Sequence, residues 1–347
     1  MAGTTIKMLN SIQILRAIAA WIVVFHHYMQ ITYNFKLMDP LSVALQRYGA
    51  IGVDLFFVIS GFVIYLSVSR KPVTPLEFAK HRIARVVPAY WLFTSITAAL
   101  LICLPGVIPF TGFEPLFFLK SIFFIPALNP SGIEYFPIVT VGWTLNYEMM
   151  FYGVFFASLF LPGKYRIAAL FLGILALRKL LPELGGAFEF YKHKIVYEFL
   201  FGVTVGILHQ RGTFNSIRPW AALALLATAL FVIARFGEAT HNPFKWGIPC
   251  ALIVICAISQ ERLLHNMTWL NALGNWSYST YLCHIPILSL MLELQNNTDL
   301  PPTATLIGSL ALIALVSAIS FNLVEKPVAR LAKRTDRRQT DSPALGN

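Results

Sequence analysis

Residues 16–27 read Arg16-Ala-Ile-Ala-Ala-Trp-Ile-Val-Val-Phe-His26-His27, an arginine and two histidines inside an apolar run that extends from Ile12 to about Tyr33. A helix of that length crosses the roughly 30 Å hydrocarbon core of a bilayer. Ionisable side chains at membrane depth are costly and line protein interior or water-filled space, so their default meaning is a functional site. At 100° per residue Arg16 and His27 differ by about 20° around the helix and share one face. His27 lies about 16 Å further along the axis than Arg16, whereas His26 is turned roughly 80° to the other side.

The rest of the chain is built for the same solvent. Of 347 residues 57% are hydrophobic and 12% charged, with a mean hydropathy of +0.66, against about 25% charged in an ordinary soluble domain. Ten apolar segments stand out, at residues 12–34, 50–69, 88–110, 143–161, 166–181, 195–209, 219–236, 246–260, 276–293 and 303–325. Several are short for the roughly 20 residues a spanning helix needs, the fifth, sixth and eighth above all. With the N-terminus inside, 17 of the 27 Lys and Arg residues fall in inner loops and tails and 9 in outer connections, as the positive-inside rule asks. The expected architecture is all-α and membrane-integral: one bundle of about ten transmembrane helices with both termini cytoplasmic. Residues 1–327 form that domain, and 328–347 a basic cytoplasmic tail without fixed structure.

The net charge of +11 therefore belongs to the inner face and the tail, where anionic membrane lipids are its partner and nucleic acid is not. The first segment contains Arg16 and two histidines and shows no small-residue cleavage site, so it reads as a retained helix. Cys103, Cys250, Cys256 and Cys283 lie in or beside apolar segments without C-x-x-C spacing; they read as packing residues, and no metal or disulfide framework is implied.

Four further blocks carry chemistry. Gly52-Val-Asp54-Leu-Phe56-Phe57-Val-Ile-Ser60-Gly61-Phe62 places Asp54 at the outer end of the second segment and two small residues near its middle; the bland alternative is a packing seam with a snorkelling aspartate. Thr74-Pro75-Leu76-Glu77 is a capping-box start, predicting a short cytoplasmic helix from Pro75 to Val87 with Arg82 and Arg85 on one side. Paired guanidinium forks suit phosphates, although an inner membrane face is basic in any case. Glu148 stands about five residues below the outer end of the fourth segment, after Trp143, and a carboxylate there must pair, protonate or face water. The aromatic-rich stretch before it, 111–141, is expected to lie against the outer leaflet. Ser277, Tyr281 and His284, spaced four and three apart, make a polar stripe on the ninth segment.

Taken together, Arg16-x10-His27, Phe56-Phe57-x-x-Ser60-Gly61-Phe62, Arg82-x-x-Arg85, Trp143-Thr-Leu-x-x-Glu148-x-x-Phe151-Tyr152, Ser277-Tyr278-x-x-Tyr281-Leu282-x-His284 and Glu325-Lys326-Pro327 resemble the acyltransferase family 3 membrane proteins. These include bacterial O-acetyltransferases of O-antigen, exopolysaccharide and Nod factor. The resemblance runs in the family's order from about residue 10 to 327. It implies an enzyme of the bacterial inner membrane that moves an acyl group, usually acetyl, from cytosolic acetyl-CoA to a hydroxyl of a glycan or lipid-linked sugar. By the same resemblance His27 is the catalytic histidine, Arg16 its companion, and Arg82 and Arg85 belong to the region that engages the donor. His27 can act as general base or as transient acyl carrier. Glu148 is open between orienting or pairing with His27 and holding the acceptor; Tyr281, His284, Asp54, Ser60 and Trp143 are supporting candidates. A polytopic transporter or flippase of a glycan or lipid is the alternative, but no matching halves are visible in the sequence.

Overall fold

A computed structural model of the chain describes residues 9–70, 73–237, 241–264 and 267–340, with side chains as far as Arg334. Among the described residues all regular structure is helical. The main helices are α1 (Asn10–Tyr33), α2 (Pro40–Tyr48), α3 (Ile51–Ser69), α4 (Pro75–Cys103), α5 (Pro115–Ile122), α6 (Trp143–Ser158) and α7 (Gly163–Leu180). They continue with α8 (Tyr197–Gln210), α9 (Pro219–Arg235), α10 (Ile248–Ser259), α11 (Thr268–Asn296), α12 (Pro302–Ser320) and α13 (Lys326–Thr340).

Each of the ten apolar segments falls mainly within one of these helices. Four helical stretches, Asn10–Tyr33, Ile51–Ser69, Pro75–Cys103 and Pro302–Arg334, are long and apolar enough to cross a membrane. The others fall short for readable reasons: α8 has 14 residues and α10 has 12, while α11 is long but carries its polar stripe.

Local chemistry sets the helix ends. α1 stops where Asn34 turns left-handed at φ 47° and its N–H donates back to the Gln30 carbonyl, the αL stop that asparagine tolerates. Asp39 caps α2 by accepting from the Ser42 N–H at 3.0 Å, with Pro40 pre-set at the first helical position. The capping box before α4 forms as expected. Thr74 Oγ1 accepts from the Glu77 N–H at 3.2 Å, and the Glu77 carboxylate accepts from the Thr74 N–H at 2.9 Å. The helix it starts does not end at Val87, however. It runs on through Pro88 to Cys103, because a proline removes only one donor and a packed bundle supports the helix around it. Arg82 and Arg85 therefore ride on the same rigid helix that continues into the bundle.

Two pairs of helices form its centre. Along α1 and α11 the contacts run Asn10 to Asn271, Gln13 to Asn275 and His27 to His284, rising together, so the two helices are parallel. A Cβ at Gly274 would overlap the Gln13 carbonyl; the glycine is what lets the backbones meet. α3 and α8 are likewise parallel, with Phe57 against Phe199, Phe62 against His209 and Tyr65 bonded to Gln210. Here Gly61 sits on the Phe199 carbonyl and Gly202 on that of Val58. The 111–141 stretch has only α5 and a 3-10 turn begun at Thr140 as regular structure, and leaves Phe123, Ile125 and Leu128 exposed. It is tied by buried Asn129, whose amide donates to Thr111 Oγ1 and the Phe136 carbonyl. Past Glu325 the chain continues as α13, so residues 328–340 are helical where no fixed structure was expected.

The glycine contacts carry a test. Gly202→Val forces a side chain into the Val58 backbone, an overpacking that costs about 1–3 kcal/mol. It should lower the thermal unfolding temperature in detergent by several degrees. Gly153, which has open space around its Cβ position, should accept valine with little change.

Candidate functional site

A cavity of about 700 Å³ opens between α1, α3, α4, α6, α11 and α13. α3 runs its length, contributing Val53 and Phe56 toward one end and Arg70 at the other, with Val53 and Arg70 about 25 Å apart at 1.5 Å per residue. The Arg70 end is basic, with His81, Arg82, Arg85 and Lys333 also in its wall; the middle holds Arg16, Ser60, Glu148 and Tyr152; the far end is closed by Phe56, Thr144 and Tyr281.

In the middle, one Glu148 oxygen accepts from Ser60 Oγ at 2.9 Å and from the Tyr152 hydroxyl. Arg16 donates to the Gln13 side chain at 3.1 Å and shares its electrostatic surroundings with Arg85, Glu325 and Glu148. Glu148 thus faces the cavity with Ser60 and Tyr152 and does not pair with His27. The sequence left that choice open, because the partner of a carboxylate in a bundle is set by which helices meet.

His27 and His284 lie behind the far end and do not line the cavity. The Tyr281 ring stands between, 5.9 Å from the centroids of both Phe56 and His284. Its hydroxyl is fixed by the Val141 carbonyl at 3.0 Å and Thr144 Oγ1 at 3.1 Å. The two imidazoles then settle their own tautomers. His284 Nδ1 is 3.2 Å from the Thr280 carbonyl, which only accepts, so in the neutral ring Nδ1 carries the proton and Nε2 the lone pair. His27 Nδ1 lies 3.1 Å from that Nε2 and 3.0 Å from the Val23 carbonyl. Facing two acceptors, it must carry its proton. The lone pair of His27 is left on Nε2. His26 instead donates to the Leu45 carbonyl at 3.1 Å and packs on Phe35, holding α2 against α1.

The arginine pair is split. Arg85 forms an ion pair with Glu325, which is buried and also accepts from Ser279 Oγ at 2.6 Å. Arg82 lies over the Phe78 and Tyr152 rings, and its Nε has no hydrogen-bond partner. Glu325 stood in the sequence within a recognised run but without a role; its signal was a carboxylate closing an apolar segment.

Asp54 and Trp143 belong to a second cluster on the opposite side of the His27–His284 pair from the basic end. Asp54 does not snorkel: it is fully buried, and Oδ2 accepts from His241 Nδ1 at 2.8 Å. The Trp143 ring packs edge-on to His241 at 5.4 Å and to Tyr147 at 6.0 Å. Buried Glu198 neighbours Asp54. Sequence reading missed Glu198, although an acid inside an apolar segment was a usable signal, and His241, which gave none.

Comparison with known proteins now bears on this geometry. Residues 9–322 match the family described as the acyltransferase domain. The chain belongs to acyltransferase family 3. It is 32% identical over 287 residues to the exopolysaccharide production protein ExoZ of Rhizobium meliloti, covering 81% of this chain and 90% of that one. It is 23% identical over 323 residues to the O-acetyltransferase OatA of Staphylococcus aureus, covering 81% of this chain and 53% of that one. No solved structure matches the chain. As a member of acyltransferase family 3 the protein is an acyltransferase, and the transporter reading falls away.

The Arg85–Glu325 pair makes a measurable prediction. Removing one partner leaves the other uncompensated in a largely buried place, which costs about 3–5 kcal/mol for a full burial; since the Arg85 side chain is 28% exposed, about 2 kcal/mol is expected for Glu325→Ala. A double-mutant cycle with Arg85→Ala, read by thermal unfolding, should show the two losses to be strongly non-additive. Additive losses would mean the pair contributes nothing as a pair.

Proposed function

We propose that the protein is an O-acyltransferase of the bacterial inner membrane, which takes an acetyl group from cytosolic acetyl-CoA and delivers it to a hydroxyl of a cell-surface or lipid-linked glycan. The chain crosses the membrane ten times with both termini in the cytoplasm. The observation that carries this reading is the relay Thr280 carbonyl, His284, His27, which leaves a lone pair on His27 Nε2 beside the closed end of a cavity whose other end is basic. The parallel run of α1 and α11, the first and ninth apolar segments, supports the ten-span count. The names of the relatives, an exopolysaccharide production protein and an O-acetyltransferase, support acetyl and glycan.

The donor phosphates meet Arg82 and Arg85 at the basic end, and the pantetheine arm runs past Arg16, Ser60 and Glu148 toward Tyr281. His27 then serves in one of two balanced ways. As general base, Nε2 takes the proton of the acceptor hydroxyl while its oxygen attacks the thioester carbonyl; the C–S bond breaks and the proton passes to the thiolate. As acyl carrier, Nε2 itself attacks and the thiolate leaves; the hydroxyl oxygen then attacks the acyl-imidazolium, the C–N bond breaks to restore the imidazole, and the hydroxyl proton passes by way of Nε2 to the thiolate. Both need Nε2 unprotonated, and His284 fixes the tautomer for either. Glu148 and Ser60 line the path of the donor, while Asp54 and Trp143 stand on the acceptor side.

Activity of single variants tests the assignment. His27→Ala should abolish acetyl transfer to the polysaccharide while the protein accumulates normally, and His26→Ala should keep most of it. His284→Ala removes one of the two acceptors that hold the His27 tautomer, leaving only the Val23 carbonyl, and should lower kcat about 10-fold with little change in KM, below the full contribution of a general base. His284→Gln, whose amide oxygen still accepts from His27 Nδ1, should recover part of the loss. Near-normal activity of His27→Ala sinks the histidine mechanism.

Orientation is checked separately by single cysteines in a cysteine-free background. A cysteine at Thr74 should resist an impermeant reagent in intact cells, and one at Ser131 should react. The reverse pattern puts the basic end of the cavity outside, where acetyl-CoA is absent, and the reaction could not proceed.

A further inference from the structure

The family match ends at residue 322, and α13 begins only at Lys326. Even so, α13 packs against α4, and Ala329, Ala332 and Lys333 line the same cavity as Arg82. Their spacing explains it, since i, i+3 and i+4 share one face of a helix. The two alanines let α13 approach closely, Ala332 being buried, while Lys333 is exposed and can lay its stem along the wall and keep its ammonium at the rim. Arg70, at the C-terminal end of α3, lines the same cavity. Among the described residues lining the cavity the one carboxylate is Glu148. It is hydrogen-bonded to Ser60, ten residues along α3 from Arg70, or about 15 Å. The rim therefore presents cations from three helices with no lining acid nearby, a field suited to a multiply charged anion.

Acyl-CoA has its charges in sequence along its length: pantetheine innermost, then the diphosphate, then the 3′-phosphate on the ribose. Lys333 lies eight residues beyond Glu325, the partner of Arg85, about 12 Å further along the helix. Arg82 and Arg85 suit the diphosphate, and the outer cations suit the last group. Building on the acyl-CoA reading above, we propose that Lys333, together with Arg70 of the same cavity, holds the ribose 3′-phosphate of the donor, so that α13 is a wall of the donor site.

The test is a binding experiment on the purified full-length protein, using CoA and 3′-dephospho-CoA as probes, because it needs no acceptor. Wild-type protein should bind dephospho-CoA about tenfold more weakly than CoA, the low end for a charge-assisted contact at an exposed rim. Lys333→Ala should lose about tenfold for CoA and nothing for dephospho-CoA, since the group it serves is already missing. Arg70→Ala, on a different helix, should repeat the pattern; unfolding temperatures close to wild type show that both variants are folded. The ammonium could instead meet the phosphate of a lipid headgroup. In that case Lys333→Ala weakens both probes alike, and only in nanodiscs containing anionic lipid, which overturns the proposal. Equal affinity of wild-type protein for the two probes overturns it as well. If wild-type protein binds neither probe, the acyl-CoA reading itself fails and this inference with it; a loss of discrimination in neither variant, with CoA still bound tightly, removes the 3′-phosphate assignment alone.

Discussion

The contact on which the rest of the structure depends is the parallel seam between α1 and α11. Lipid tails are as apolar as leucine, so no hydrophobic force presses these helices together; close packing and interhelical hydrogen bonds must do it, at about 0.6–2 kcal/mol for each bond. No single bond is therefore decisive. Asn10 with Asn271, Gln13 with Asn275, Gly274 on the Gln13 carbonyl and His27 with His284 fix register and depth only as a set. A slip of either helix by one residue would rotate every polar group by 100° into an apolar neighbour. The same seam fixes the His27 tautomer and sets Tyr281 at the closed end of the cavity, so fold and chemistry share one determinant.

Charge is graded along the cavity that this seam borders. At the Tyr281 end the wall is aromatic. In the middle the cation of Arg16 has Glu148 and Glu325 in its surroundings, and Arg85 is tied to Glu325. Toward the rim, Arg70, Arg82 and Lys333 have no carboxylate beside them among the described lining residues. Fixed cations of this kind can replace the hydration of an anion that approaches from that side.

Much of this was legible in the sequence, and the division between what was and was not follows a physical line. Features set by near neighbours could be read: the capping box of Thr74 and Glu77, the shared face of Arg16 and His27, the stripe of Ser277, Tyr281 and His284. All three depend on spacings of eleven residues or fewer. Features set by which helices meet could not. Glu148 finds Ser60 and Tyr152, Asp54 finds His241 from 187 residues away, and no periodicity encodes such choices. The end of the helix begun at Thr74 was misplaced for a related reason. A proline reads locally as a stop, and only the surrounding bundle decides that the helix continues through Pro88. The family resemblance supplied the roles of His27 and the arginines, which spacing alone left open between chemistry and packing.

The position of Tyr281 joins the two sides of the molecule. Its ring stands between Phe56, which lines the cavity, and His284, which does not. That ring is not free to turn by itself, because its hydroxyl is held by Thr144 and by the Val141 carbonyl at the start of α6. Next to Thr144 on the same turn is Trp143, packed against His241, which buried Asp54 holds in turn. The first turn of α6 therefore touches the cavity through Thr144 and the Asp54–His241 cluster through Trp143, two successive residues on one helix. The ring that closes the cavity and the buried cluster are thus held by the same helical turn.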